Sequence, residues 1–448
     1  MDKSFSRVDL IREAFHYQSR FNGSTMVFKI DFPVTLDPLF PSLVKDLALL
    51  AKTGFRVVIV PGAKEWIDDV LDKYGIVTNY RNNLRITTEE AMSFVQMAAF
   101  HTATKFITCF SGSRTEAVIG NFIRARGLGI LEGVNYEHTG TVDRFYTDSL
   151  NRILELGIIP ILPCIGWSPA GKPYNVSSDE IALEAAVKLG AVKLFLISLS
   201  EGITKNNYKI PEQTETGGSG RVIRLTPQEA DQILKLNRVN DGGANACSIA
   251  DSRPLEQLAL ALKASTSGVE RVHIINGAEE GAVLKELFSN LGAGTMVYAD
   301  EYESIRALRS KDVPDVLRLM EPLMQEGFLI RRTPEDIQKK KEDYAVFEID
   351  GRVHACGALH DWGEGQGEIA ALATDPVYTD LGLGRRMVRF FLDRAKKQNF
   401  RRVFALTTRA HDWFELLGFR ESPVESLPEK KRVTYDTSRN SKIFSLEL

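Results

Sequence analysis

GEIAALATDPVYTDLGLGRRMVRFFLDRA, residues 367–395, decides how the second half of this chain folds. Glu368 to Thr374 reads as a short, mostly apolar strand, and Asp375-Pro376 stops it. Leu383, Met387, Phe390, Phe391 and Ala395 then recur at helical spacing, so a glycine-bearing turn joins a strand to a helix. Gly382 and Gly384 let backbone come close to a ligand. The unpaired N–H groups and the dipole of the helix's first turn favour an anion such as a pyrophosphate. A GxG by itself is more often a tight turn without a ligand.

The residues beyond the turn add weight. Arg402 to Thr407 reads as a second strand, followed by a short amphipathic helix, Asp412 to Leu417, closed by Gly418-Phe419. Strand with an acidic residue, glycine turn, long helix, strand, then WFELLGF: this order resembles the GNAT acetyltransferases. The resemblance implies a turn that holds the coenzyme A pyrophosphate and a splay between the two strands that admits the thioester. It places Leu372, Ala373, Thr374, Asp380, Gly382, Leu383, Gly384 and Arg385 against the cosubstrate, acetyl-CoA. Thr379 stands where that family usually has Gln or Arg, which removes one side-chain contact and leaves the backbone cradle intact.

At 448 residues the chain is too long for one ordinary core, and two domains are expected. A formal charge of -3 makes no electrostatic case for nucleic acid. The start, MDKSFSRVDLIREAF, is amphipathic and charged, and no apolar stretch approaches the roughly twenty residues that span a membrane. These features read as a cytoplasmic protein without a membrane partner. Cys109, Cys164, Cys247 and Cys356 form no CxxC pair and the seven histidines no close ligand spacing, so neither a disulfide scaffold nor a metal is expected.

Asp9 to Phe21 reads as an amphipathic helix with Leu10, Ile11, Phe15 and Tyr17 toward one side, which needs a partner surface. From Met26, strands and helices alternate. Strand candidates are Met26–Ile30, Phe55–Val60, Lys105–Phe110, Ile158–Ile165, Lys193–Ser198, Arg271–Ile275 and Thr295–Tyr298, with helical periods such as Leu39–Lys52 and Thr88–Ala103 between them. Such alternation predicts an α/β fold with an open, mostly parallel sheet and helices on both faces, a three-layer αβα arrangement. Glu212 to Gly220 reads as a mobile loop. Near Tyr298 the character changes: Glu301 to Ser304 is polar, Ile305 to Leu308 starts a strand, and Asp312 with Pro314 opens a helix. The expected domains are 1–300 and 301–448.

The run YNVSSDEIALEAAVKLGAVKLFLISLSEGI, Tyr174 to Ile203, resembles the amino-acid kinase family, with Asp179 as the family's Asp. Parts of a kinase are missing. IDFPV follows Lys29, PGAKEW spans Pro61 to Trp66 in place of a glycine-rich turn, and after Gly242-Gly243 Cys247 falls where the family has a second phosphate-binding Lys. Phosphoryl transfer depends on positioned positive charge and backbone donors, so the first domain is expected to keep the fold and lose the chemistry.

An inactive amino-acid kinase domain followed by a GNAT domain resembles the N-acetylglutamate synthases. Four runs carry this: LIRRT at Leu329, GEIAALA at Gly367, FALTTRAHDWFELLGF at Phe404, and LPEKKRVTYDTSRNSKIF at Leu427. The resemblance implies transfer of the acetyl group of acetyl-CoA to L-glutamate, at the start of arginine biosynthesis, by a homo-oligomer. It assigns Arg331, Lys431 and Arg439 to the substrate carboxylates, beside Ser441 and the backbone near Ala371; arginine's planar fork suits a carboxylate. It makes Glu368 the base, a carboxylate whose proton affinity a partly apolar cleft would raise, and Thr407 the hydroxyl that protonates the departing thiolate. It also implies an L-arginine effector site in the first domain, formed by Tyr17 and the run Glu270 to Thr295, with His273, Glu286, Gly292 and Gly294. Outside the pattern, Glu368 is a strand-end carboxylate and the KKR run a solvated basic face. Two other readings stay open: an acetyltransferase for another amino acid or a protein amine, and a non-catalytic amino-acid sensor.

Overall fold

The apolar runs of the first 300 residues become strands whose alternate side chains feed two separate cores. The computed structural model describes residues 15, 17–81, 84–212, 214, 216–217, 220–237, 253–288, 293–298, 303–349, 351–376 and 382–448. The chain divides into two compact units, Met1–Asp300 and Glu301–Leu448. The main elements of the first are β1 (Thr25–Ile30), α1 (Phe40–Lys52), β2 (Arg56–Pro61), α2 (Lys64–Lys73), α3 (Glu89–Gly112), β3 (Ala117–Ile119), β4 (Ile159–Ile161), α4 (Ser178–Lys188), β5 (Lys193–Ser198), β6 (Arg224–Leu225), α5 (Arg253–Thr266), β7 (Arg271–Asn276), α6 (Ala282–Phe288) and β8 (Thr295–Tyr298). Eight strands form one sheet in the order β6-β8-β7-β5-β1-β2-β4-β3. It is parallel except where β8 runs against β7. Val27, Val58, Leu194 and Leu196 pack with residues of α2, α4 and α5 in one core. Phe28, Ile59, Phe195 and Ile197 pack with α1 and α6 in the other. The three-layer expectation holds, and side-chain alternation along each strand is its cause.

Two strand expectations fail. Lys105–Phe110 is the last part of α3, a 24-residue helix. Phe106 and Phe110, four residues apart, continue the buried stripe of Ala98, Ala99, Thr102 and Ala103. Ile158–Ile165 is not one strand: β4 ends at Ile161, and Ile165 opens another, Ile165–Trp167, in a small closed barrel with Ile123–Gly127, Thr139–Phe145 and Pro173–Val176. Of the leading helix, Tyr17 is buried, whereas Phe15 is 66% exposed and does not share its side; Leu10 and Ile11 lie outside the described residues. So do Glu301 and Tyr302 of the connection and parts of the loop near Glu212.

The second unit contains β9 (Glu303–Ala307), α7 (Val313–Gln325), β10 (Tyr344–Ile349), β11 (Arg352–Asp361), β12 (Gln366–Thr374), α8 (Leu383–Lys397), β13 (Arg402–Thr407), α9 (His411–Leu416), β14 (Arg420–Ser422), α10 (Glu429–Val433) and β15 (Lys442–Glu447). Its sheet runs β9-β10-β11-β12-β13-β15-β14. Val316, Leu319 and Met320 of α7 cover one face over Tyr344, Val346, Cys356 and Ala373. A bulge interrupts the pairing of β11 with β12: Cys356 faces Ala373 and Ala358 faces Ala370, so Gly357 opposes both Ala371 and Leu372. Ala371 takes a left-handed φ of 54° there. A bulge bends its strand and raises the local twist.

Gly357 is needed for α8 to seat beside that bulge, because a Cβ there would lie 2.7 Å from Cε2 of Phe391. Phe391 is fully buried and has no solvent to swing into. Gly357→Ala is expected to destabilise the protein by about 1–3 kcal/mol, the usual range for overpacking. A lower urea midpoint with an unchanged slope would show it; an unaltered midpoint would mean that the ring yields without cost.

Candidate active site

The bend in β12 shapes the site. β12 pairs with β13 in parallel only over Gln366–Glu368 against Arg402–Phe404. Beyond that the strands part, although β13 stays paired along its other edge with β15 out to Thr407. Glu368 sits where the opening starts, and Thr407 on the far side of it.

Glu368 is buried, 6% exposed, but its cleft is not simply apolar. Nζ of Lys431 lies 2.7 and 2.8 Å from its two carboxylate oxygens, and Nε1 of Trp362 donates to Oε2 at 2.7 Å. The ammonium also lies 4.8 Å from the Trp362 ring centre. His360 faces Glu368 across the β11–β12 ladder and is itself bound to Asp343 at 2.6 Å. The Oγ1 of Thr407 accepts from the N–H groups of Ala410 (2.9 Å) and Arg409 (3.3 Å). Held this way, the hydroxyl keeps its own hydrogen for another acceptor.

At the turn, α8 begins at Gly382 in a left-handed conformation (φ 63°), with no side chain capping the first N–H groups. The Cβ that Gly384 lacks would lie 3.2 Å from Trp413 of α9, so the glycine turn and the WFELLGF run pack on each other. Thr374 borders Gly384 from the strand side. Leu383 and Ala373 are buried, Leu372 half-buried, and Arg385 exposed. Asp380 and Thr379 lie outside the described residues. A 15-residue helix with an open first turn can hold an anion.

The cations assigned to substrate separate into two groups. Lys431 is on Glu368. Arg439 donates to the carbonyls of Gly327 (2.8 Å) and Phe328 (3.2 Å), which lead into the segment carrying Arg331. Arg331 is exposed and, among the described residues, makes no hydrogen bond or ion pair. The Ser441 carbonyl accepts from the hydroxyl of Tyr435 at 2.7 Å, and the Ala371 carbonyl from the Cys356 thiol at 3.8 Å. Sequence reasoning missed Trp362 and His360, because neither lies in a motif and both reach Glu368 only through the sheet.

In the first unit, Asp179 meets Lys29 at 3.0 Å and the guanidinium of Arg253 at 2.7 and 2.9 Å. Arg253 also clasps Asp31 at 2.8 and 2.9 Å, and Lys29 pairs with Asp31. Burial alone would raise the Asp179 carboxyl; Lys29 and Arg253 instead hold it well below the usual range. This closed network lies in a cleft of about 670 Å³ that Gly62, Arg85 and Cys164 also line. Arg253, which no motif announced, closes it; Cys247, Gly242 and Gly243 lie outside the described residues. Among those residues, no cluster of three or more His, Cys, Asp or Glu side chains could hold a metal ion, and no helix is long and apolar enough to cross a membrane.

A second buried constellation joins four of the expected effector residues. Nδ1 of His273 lies 2.7 Å from Oε1 of Glu286, whose Oε2 accepts from the N–H groups of Ala293 (2.5 Å) and Gly294 (3.1 Å). Gly294 is needed for its own packing, since a Cβ there would stand 2.0 Å from the Ile274 carbonyl. The hydroxyl of Tyr17 accepts from Lys193 and, at 3.4 Å, from Arg271. Lys193 and Arg271 are register partners on β5 and β7, as are Phe195 and His273 two residues further on. Gly292 lies outside the described residues.

Residues 24–236 match the amino acid kinase family and residues 313–419 the acetyltransferase (GNAT) family. An amino-acid acetyltransferase of Pseudomonas fluorescens is 34% identical over 98% of this chain and 99% of its own. One of Vibrio cholerae is 33% identical over 100% and 99%. The N-acetylglutamate synthase of Neisseria gonorrhoeae complexed with coenzyme A and L-arginine superposes with a TM-score of 0.82 at 31% identity, covering 99% of this chain and 100% of that one. The same enzyme complexed with coenzyme A and N-acetyl-glutamate gives 0.61 at 32%, with the same coverage.

The His273–Glu286 pair carries a pH dependence. Burial lowers His273 from 6.5 to about 4, the charge of Lys193 adds to this, and Glu286 opposes it. An unfolded chain therefore takes up this proton at a higher pH than the folded one, so stability is full above about 6.5 and is lost as pH falls toward 4. Urea unfolding at pH 7.5 and pH 5 should show the loss, and His273→Asn should flatten it; an equal slope in the variant would assign the dependence elsewhere.

Proposed function

We propose, since the chain belongs to the amino-acid acetyltransferase family, that it transfers the acetyl group of acetyl-CoA to the α-amine of L-glutamate, giving N-acetyl-L-glutamate and CoA. The reading extends to a cytoplasmic enzyme, homo-oligomeric, at the entry to arginine biosynthesis. The observation that carries it is the parting of β12 from β13 beside Glu368, with Thr407 across the opening. The coenzyme A and N-acetyl-glutamate bound in the N. gonorrhoeae enzyme support the choice of substrates.

The residues divide the work. The open first turn of α8 at Gly382–Gly384 takes the pyrophosphate, with Arg385 beside it, and Leu372, Ala373 and Thr374 line the arm of the cosubstrate. Backbone N–H groups freed by the parted strands polarise the thioester oxygen. Arg331 and Arg439 hold substrate carboxylates, Arg331 being unpaired among the described residues and Arg439 anchoring the segment that carries it. Glu368 accepts one proton from the substrate ammonium, and the amine then forms the C–N bond at the thioester carbon. As the C–S bond breaks, Thr407 gives its hydrogen to the sulfur and receives the nitrogen's second proton. Both protons are thereby accounted for.

In the first unit, the closed network of Lys29, Asp31, Asp179 and Arg253 leaves its cations neutralised where a kinase needs them for phosphate, and phosphoryl transfer is not expected. The cluster of Tyr17, His273, Glu286 and Gly294 is read as an L-arginine effector site. Glu286 uses three of about four acceptor positions on this chain, leaving one for a guanidinium. The Ala293 carbonyl already accepts from the guanidinium of Arg221 at 2.5 Å, so a guanidinium can reach the backbone beside Glu286. The L-arginine bound by the N. gonorrhoeae enzyme supports the reading.

Thiol release from acetyl-CoA should depend on glutamate, and Glu368→Gln should lower kcat by about 10²–10⁴-fold, the span of general-base contributions, with much less effect on acetyl-CoA binding. Wild-type turnover in the variant would remove Glu368 from the role. Calorimetry of the full chain should record arginine binding that Glu286→Gln weakens; no heat from the wild-type protein would refute the effector site.

A further inference from the structure

Glu368 has a neighbour that works against it. A base must have a lone pair free to take a proton, yet both oxygens of Glu368 are within 2.8 Å of the Lys431 ammonium, and Trp362 takes a further position on Oε2. An ammonium at hydrogen-bond distance occupies the lone pairs that an incoming proton would need. Lys431 is nevertheless placed to leave. It is the one inward-turned residue of the five-residue α10, whose other members Glu429, Lys430, Arg432 and Val433 are exposed. Its stem is flexible, and its charge is shared with the face of the Trp362 ring. Trp362, by contrast, packs beside the apolar cluster of Phe404, Leu427 and Ile443.

The geometry points to Lys431 as a mask on the base: it neutralises Glu368 while the acceptor site is empty, and a carboxylate of the incoming amino acid draws it away, exposing Glu368 for proton transfer. This rests on the reading of Glu368 as the base for an amino-acid acceptor. Trp362 is the positioning residue that keeps the carboxylate in place after Lys431 departs. His360, the group facing Glu368 from β11, is already held by Asp343 and takes no part in the exchange.

The mask has a purpose in the chemistry. A bare carboxylate beside a bound thioester also activates water. Water would add at the thioester carbon, the C–S bond would break, and acetate and CoA thiol would leave, one proton of the water passing by way of Glu368 to solvent and the other going to the departing sulfur. Masking suppresses that hydrolysis until the amine is present, and the dual use of Lys431 ties catalysis to an acceptor bearing a carboxylate.

The test is thiol release by the full-length protein with acetyl-CoA, with and without glutamate. Lys431→Met should raise release without glutamate by about tenfold or more, since general-base contributions span 10²–10⁴, while raising KM for glutamate and lowering glutamate-dependent turnover. Lys431→Arg, which keeps the charge, should return the release without glutamate toward wild type. A role confined to packing would lower both rates together. Should Lys431→Met fail to fold, Lys431→Gln, of similar length and without the charge, serves in its place. Acceptor-free release at or below the wild-type rate in a folded, coenzyme-A-binding neutral variant overturns the mask. Failure of the glutamate dependence in the wild-type protein would instead overturn the underlying reading, so the two outcomes are separable.

Discussion

The parting of two parallel strands just past Glu368 is the constraint on which the second unit depends. Backbone N–H and C=O groups are obligatory hydrogen-bonding groups, and a ladder that stops after three residue pairs leaves the facing edges without each other. Such a gap is tolerated where water or a ligand fills it. The bulge at Ala371–Leu372 maintains it, because β12 is pinned to β11 on both sides of the bulge and cannot straighten. Gly357 and Phe391 hold the bulge from the α8 side, and Trp413 seats against Gly384 where α8 begins. A strained left-handed alanine in the interior of a sheet is then explained by its place: it bends the strand that opens the cleft.

Charge is handled differently in the two units. In the first, Lys29, Asp31, Asp179 and Arg253 satisfy one another through six short contacts, and no member can be withdrawn without exposing a buried partner. That closure makes a rigid floor and spends the cations a phosphate would need. In the second, Glu368 and Lys431 form a pair that is buried but carried by a short helix with exposed neighbours, and Arg331 is unpaired among the described residues. A closed network favours a fixed scaffold. A pair with an exposed side can be exchanged for a substrate.

The local order of elements was legible in the sequence. Short apolar runs defined β1, β5 and β8 to within a residue, helical spacing defined α8, and the glycines at 382 and 384 marked the turn, because each is a property of neighbouring residues. The six-residue run Lys105–Phe110 was misread for the same reason: an apolar segment that short has no period until the helix before it is read with it. Phe15 and Tyr17 were placed on one side of the leading helix, yet only Tyr17 is buried, since Lys193 and Arg271, brought together by β5 and β7, bind its hydroxyl.

Partnership was decided by the tertiary structure. Lys431 sits in a basic run that reads from sequence as a carboxylate site or a solvated face, and it lies on Glu368, 63 residues away. Arg253 joins Asp31 across 222 residues with no motif of its own. Asp179 and Glu368 were recognised as chemically important from their surroundings in the sequence; the cation each would meet was not. Periodicity and turn chemistry act over a few residues and so determine elements. The neutralisation of a buried charge acts over a few ångströms of space, and only the folded chain brings those partners within range.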